Sequence, residues 1–231
     1  MNEKITFALY FGNRGFFPGE LIADARKELA KAVEDAGYDY IMPEESIGRY
    51  GAVETIEEGK RYAAFLEQNR GKYQGVILCL PNFGDENGAM VALENCGVPI
   101  LVEAYRDEAG KMDFEHRRDS LCGKIAMCNV LRQHKLKYTL FQPFTCNPTD
   151  PEFKEHIEKF AAICRVVNGM KRCNIGAIGA RTTAFKTVRF DEIAMQNVGI
   201  NVETIDLAEV FARMEKIEQE RVDAKVIDYL A

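Results

Sequence analysis

GVILCLPNFGDENGA, residues 75–89, decides the reading of the fold. Its first six residues are an unbroken apolar run, closed by Pro81 and a polar, glycine-containing turn, which is the pattern of a short strand buried on both faces. The turn opens directly into a helical segment, with Asp85 placed to cap it. Outward from this point the same alternation repeats. Strand-like runs occur at Ile5–Phe11, Tyr38–Met42, Pro99–Ala104 and Tyr138–Phe141. Helical patterns fill the gaps, including Glu54–Asn69, Asp85–Asn95 and Phe114–His134. Parallel strands need crossovers of a dozen or more residues, usually helical, so the order predicts repeated βαβ units around a parallel sheet.

Between the first two strands, Leu21, Ile22, Ala25, Leu29, Ala32, Val33 and Ala36 recur at steps of three and four, making one helix face apolar. Gly37 supplies its stop. At Cys146–Pro151 the run CNPTDP gathers turn formers and predicts a domain boundary. Beyond it come a helix carrying Phe153, Ile157, Phe160, Ala161, Cys164 and Val167, a strand at Asn174–Ile178, and a short helix from Asp191. A strand at Ile200–Ile205 and one last amphipathic helix, with Leu207, Val210, Phe211, Met214 and Ile217 on one side, complete the chain. The fold class expected is α/β, with two Rossmann-like (flavodoxin-like) parallel-sheet units. Residues 1–146 form the first domain and residues 147–231 the first part of a second. Two strands are too few for an open doubly wound sheet, so the second unit reads as incomplete.

Acidic residues outnumber basic ones by 36 to 30 and the net charge is -6, so no overall field favours nucleic acid or anionic lipid. The longest apolar run, Val76–Leu80, is far below the roughly 20 residues of a membrane span. The amino terminus lacks the pattern of a secretory signal, and the expected compartment is the cytoplasm. Seven cysteines without a C-x-x-C pair signal neither a disulfide framework nor a cysteine zinc site. Cys79, Cys128 and Cys164 lie in apolar segments and read as core thiols. Three histidines, His116, His134 and His156, sit in polar helical stretches and in no metal-binding spacing, so no metal ligand and no catalytic residue is assigned.

In a five-strand flavodoxin-like order, ligands lie at the strand C-termini beside the first and third strands. The loops there are FGNRGFFPGE, residues 11–20, and PNFGDENG, residues 81–88. Asn13 and Arg14 between glycines can meet a hydroxylated or anionic ligand, though Arg14 is equally a solvated turn residue. Asn82 and Asn87 can hydrogen-bond sugar hydroxyls, whereas Asp85 reads as a cap and the Glu44–Glu45 pair as surface acids. A third group lies in GARTTAFKTVRFDE, residues 179–192, where Arg181, Lys186 and Arg189 share a loop with Thr182, Thr183 and Phe185. This is a polyol or anion pocket with an aromatic wall, or a basic contact between subunits.

The 179–192 loop, the opening FGNRGFFPGELIADARKEL, the segment GVILCLPNFGDENGA and the stretch RFDEIAMQNVGINVETIDLAEVF together resemble the L-fucose/L-arabinose isomerase family, over nearly the whole chain. The resemblance implies a ketol isomerase interconverting an aldose and a ketose through an enediol, with Mn²⁺ in the full-length protein. The implied metal ligands fall in the later part of the family's chain, so none is carried onto residues here. Arg14 matches an amino-terminal arginine near the sugar. The resemblance also implies a monosaccharide substrate, a homo-oligomer and a substrate-covering role for these loops. Two other readings compete. One is a non-catalytic sugar-binding or regulatory module, in which Phe16, Phe17, Phe83 and Tyr105 stack on a sugar face. The other, a response-regulator or flavodoxin relative, fits the topology only and lacks the acidic pair and phosphate loop those proteins need.

Overall fold

A computed structural model describes residues 4–230. The chain divides into two units, the first ending at Asn168 and the second beginning at Gly169. The first runs β1 (Thr6–Phe11), α1 (Glu20–Asp35), β2 (Asp39–Ile41), α2 (Ile56–Gln68), β3 (Gly75–Leu80), α3 (Glu86–Leu93), β4 (Ile100–Ala104), α4 (Ser120–Gln133) and α5 (Pro151–Met170). Its four strands lie in the order β2-β1-β3-β4, all parallel, with β1 and β3 central as the flavodoxin-like order requires.

Alternate strand residues feed two cores, because successive side chains point to opposite faces. Ala8, Tyr10, Val76, Leu78, Val102 and Ala104 face Tyr62, Leu66, Leu93, Met127 and Leu131 of α2, α3 and α4. Phe7, Leu9, Phe11, Ile77 and Leu101 face Ile22, Leu29 and Val33 of α1 and Phe153, Ile157 and Phe160 of α5. All six residues of β3 are buried. Cys79, Cys128 and Cys164 are buried within these cores. Gly37, at φ +86°, ends α1 as expected, and its amide donates to the Glu34 carbonyl.

Three boundaries differ from the sequence expectation. The strand expected at Tyr138–Phe141 contracts to one bridge, Thr139 beside Leu101. Phe141 instead turns onto the His156 ring, 5.3 Å between centroids, and Pro143 has no amide to extend a ladder. The helix expected from Phe114 begins only at Ser120. Asp119 adopts a left-handed backbone (φ +49°), and Asp107 accepts from the amides of Ser120 (3.0 Å) and Leu121 (3.3 Å), capping α4 from outside. Residues 106–119 are thereby left as a loop at the strand C-termini. Finally, the boundary expected after residue 146 lies later by contact, because α5 belongs with the first unit. Gly75 shows how closely: a Cβ there would stand 2.6 Å from Cys164 Sγ and 2.9 Å from the Phe160 ring.

The second unit holds β5 (Cys173–Ile178), α6 (Glu192–Gln196), β6 (Ile200–Ile205), α7 (Leu207–Met214) and α8 (Gln219–Leu230). Its sheet has two parallel strands. Asp191 caps α6 through the Ala194 amide at 3.0 Å. The single last helix expected from the apolar spacing is two helices, since the polar run EKIEQE after Met214 turns at residues 215–218 and Glu218 starts α8 by accepting from Arg221. No residue of β5, β6, α7 or α8 is fully buried. Among the described residues no helix is long and apolar enough to cross a membrane.

Candidate functional site

The crevice at the strand C-termini is assembled by three loops. After β1 the chain runs Gly12-Asn13-Arg14, and Gly12 pairs with Val53 of the segment leading into α2, bringing Glu54 over the end of β1. Arg26, buried on α1, fixes that segment by donating to the carbonyls of Pro43 (2.7 Å) and Gly51 (3.1 Å). From the loop after β3, Asn82 reaches across to Asn13. The Asn82 amide nitrogen donates to Asn13 Oδ1, and the Asn13 amide nitrogen donates to Glu54 Oε1. Arg49 meets the same Glu54 oxygen, Oε1, at 3.1 Å. Both asparagines are fully buried, and Asn82 Oδ1 has no hydrogen-bond partner among the described residues.

Above this polar chain stands a ladder of rings. Phe114 stacks on Phe16 (6.1 Å between centroids), Phe16 on Phe17 (4.7 Å), and Phe17 on Phe83 (5.7 Å). Guanidinium groups lie over it: Arg14 is 4.9 Å from the Phe83 centroid, and Arg117 is 5.3 Å from that of Phe17. Arg118 sits over Tyr105 at 4.9 Å and donates to the Pro81 carbonyl at 2.9 Å. Phe16 and Phe114 are more than half exposed. Rings and guanidinium groups in this order offer flat apolar faces with hydrogen-bond donors at their rims.

A second polar cluster lies deeper. Glu103 of β4 meets His156 Nδ1 at 2.8 Å and Lys124 Nζ at 3.5 Å, all three buried. Lys124 also donates to the Phe144 carbonyl (2.7 Å), and His156 Nε2 lies 2.9 Å from the Gln142 carbonyl. Burial opposes a charge on His156, and Lys124 does likewise. The hydrogen bonds to Glu103 and Gln142 outweigh both and hold its pKa above the ordinary histidine value. The cluster ties β4, α4, α5 and the 142–144 segment together.

Of the residues singled out from the sequence, Asn13 and Asn82 are in direct contact, and Arg14 joins them through Phe83, the residue next to Asn82. Asn87 is exposed on the first turn of α3. Asp85 caps that helix, accepting from the Gly88 amide at 2.7 Å. Glu44 and Glu45 are exposed. Arg181, Thr182, Thr183, Lys186 and Arg189 all lie exposed in the second unit, on the loop after β5, where Arg181 donates to the carbonyls of Thr182 and Thr183 at 3.4 Å. Sequence reasoning missed Glu54, Phe114, Arg117 and the buried trio. Glu54 read as helix, and Phe114 and Arg117 fell inside a helix begun too early. Among the described residues no group of three His, Cys, Asp or Glu side chains is disposed to hold a metal ion. The Mn²⁺ implied by the family resemblance therefore finds no fit in them.

Residues 8–171 match the fucose/sulfoquinovose isomerase N-terminal domain. The chain belongs to that family. A curated relative, the sulfoquinovose isomerase of Alkalicoccus urumqiensis, is 25% identical over 161 residues, 68% of this chain and 35% of the relative. The aligned stretch thus spans about a third of that isomerase. Two solved structures also align: an ABC sugar transporter, periplasmic sugar binding protein, from Legionella pneumophila (TM-score 0.29, 7% identity, 88% of this chain and 89% of that one), and a putative sugar binding protein from Salmonella typhimurium LT2 (TM-score 0.23, 13% identity, 94% and 67%). Likenesses this low carry no argument about ligand or fold. Within the isomerase N-terminal domain family, the matched stretch contains both crevice asparagines, Arg14, Glu54 and the whole ring ladder.

Proposed function

We propose that this chain is the N-terminal portion of a sugar isomerase that interconverts an aldose and a ketose, and that its crevice covers the monosaccharide. The supporting observation is the family match over residues 8–171, which takes in every loop of the crevice. In this reading Arg14 and Arg117 donate to substrate oxygens, the Phe16–Phe114 rings lie against its apolar face, and the covered site excludes water. In the same reading, the proton shift between C1 and C2 through an enediol, and the Mn²⁺ that assists it, are supplied by the remainder of the full-length protein. A homo-oligomer in the cytoplasm, with the 179–192 loop at a neighbouring site, completes the proposal.

The test is isomerisation of L-fucose and of sulfoquinovose by the full-length protein, with and without added Mn²⁺. Metal-dependent turnover of one of them is expected, with Arg14→Ala raising KM. Residues 1–231 alone should show none. Turnover by residues 1–231 alone, or none by the full-length protein, overturns the proposal. The exposed ring ladder favours a second reading, a non-catalytic sugar-binding module. Tight calorimetric binding of a monosaccharide by residues 1–231 without Mn²⁺ would select it.

A further inference from the structure

The hydrogen-bond direction through Glu54, Asn13 and Asn82 is fixed at one end by chemistry. A carboxylate only accepts, so the group Asn13 turns toward Glu54 must be its NH₂. Asn13 then presents its carbonyl oxygen to Asn82, which must answer with its own NH₂. An independent acceptor agrees: the same Asn82 nitrogen lies 3.4 Å from the Pro18 carbonyl. Arg49 also contacts the Glu54 carboxylate, at 3.1 Å. The amide assignments therefore follow from the network and cannot be inverted without setting two acceptors against each other. What emerges at the end of the chain is the Asn82 carbonyl oxygen, buried and without a partner.

An unmet buried acceptor is costly, and Asn82 belongs to the loop after β3, next in the chain to Phe83, over whose ring Arg14 lies; this loop is taken as the floor of the crevice. We infer that the Glu54–Asn13–Asn82 relay makes this floor a dedicated acceptor for one ligand hydroxyl, which donates its proton to Asn82 Oδ1. The inference rests on the sugar-binding reading and adds its polarity. The floor takes a hydroxyl and refuses a carboxylate, sulfonate or phosphate oxygen, which must instead face the arginines above. Each hydrogen bond in the series polarises the next, so the charge on Glu54 strengthens the terminal acceptor without touching the ligand. Glu54 is in this sense a positioning residue.

Calorimetric binding to the full-length protein tests this, using L-fucose and sulfoquinovose with the monodeoxy analogues of each. One analogue should bind roughly 10- to 100-fold more weakly than its parent, while the others stay within about threefold. Glu54→Gln can present an amide nitrogen and so lets the relay invert. It should shrink that selective penalty to about threefold or less, an effect that a merely structural loss would not produce. Asn82→Ala, checked for folding by its melting temperature, should abolish the penalty. Equal binding of every analogue by the unaltered protein overturns the relay and leaves the sugar-binding reading standing. A deoxy penalty unchanged in Glu54→Gln overturns the polarity. Failure to bind either parent sugar overturns both.

Discussion

Replacing Glu103 by glutamine asks whether the buried ion cluster holds the first unit together. The carboxylate stands 2.8 Å from His156 and 3.5 Å from Lys124, and all three side chains are sealed from water. Glutamine keeps the volume and removes the charge, so the Lys124 ammonium stays buried among neutral acceptors only, the Phe144 carbonyl 2.7 Å away among them. Breaking a buried pair costs roughly 3–5 kcal/mol. His156 can shed its proton and Lys124 keeps one good acceptor, which puts the expected loss at the lower end, about 3 kcal/mol. For a unit of this size each kcal/mol moves the melting temperature by roughly 2–4 °C, giving a fall of about 6–12 °C. Urea unfolding followed by circular dichroism should show a lower midpoint at unchanged slope. The triple change Glu103→Leu, Lys124→Met and His156→Phe removes every charge at once and should fall near wild type or above it. A Glu103→Gln chain within about 1 kcal/mol of wild type would refute the reasoning, because a sealed ammonium would then cost almost nothing.

Three further outcomes follow from the same packing. His156 is held above the ordinary value of about 6.5, so its stabilising contribution is complete below that value and lost as the pH climbs through the higher folded-state value. Melting temperature should therefore fall as pH is raised from about 6.5, and His156→Gln should flatten that decline. A Cβ on Gly59 would stand 2.3 Å from the Gly88 carbonyl oxygen, where α2 crosses α3. Gly59→Ala should lower stability by roughly 1–3 kcal/mol in denaturant titration despite alanine's better helix propensity, and a more stable variant would contradict the crossing. With a thiol reagent at pH 8, exposed Cys122 should react at once. Cys164, pushed up to about 12 by burial, and Cys79, also raised by burial, should wait for denaturant.

Much of the architecture was legible because it is written in periods. The apolar run of β3, the spacing of Ile22, Ala25, Leu29 and Val33, and the stop at Gly37 state strand, helix and cap locally, and the parallel order follows from the crossover rule. What was hidden depends on partners distant in sequence. Asp107 caps α4 from 13 residues away, so the periodicity of residues 114–134 ran the helix into a loop. The run Cys146–Pro151 read as a domain boundary, yet Gly75 makes room for Cys164 and Phe160 and binds α5 to the first sheet. His156 shares the helix face of Phe153, Ile157 and Phe160, but nothing near it in sequence announces its partner, a carboxylate 53 positions earlier. At the crevice, Asn13 and Asn82 could each be nominated from loop position, but nothing in either loop announces Glu54 as the group that orients them.

The two polar clusters differ in a way that decides which is poised for a ligand. Around Glu103 both carboxylate oxygens, both His156 nitrogens and the Lys124 ammonium have partners. A buried network satisfied at every atom rigidifies its surroundings and has nothing left to offer. The chain from Glu54 to Asn82 is built with the same economy until its final atom, which is left open beneath exposed rings and arginines. Buried polar atoms in folded proteins are nearly always paired, so an open one at the end of an oriented series marks the place where something else supplies the donor. The stronger charges thus belong to the scaffold, and the uncharged amide oxygen of Asn82 is the better candidate for recognition.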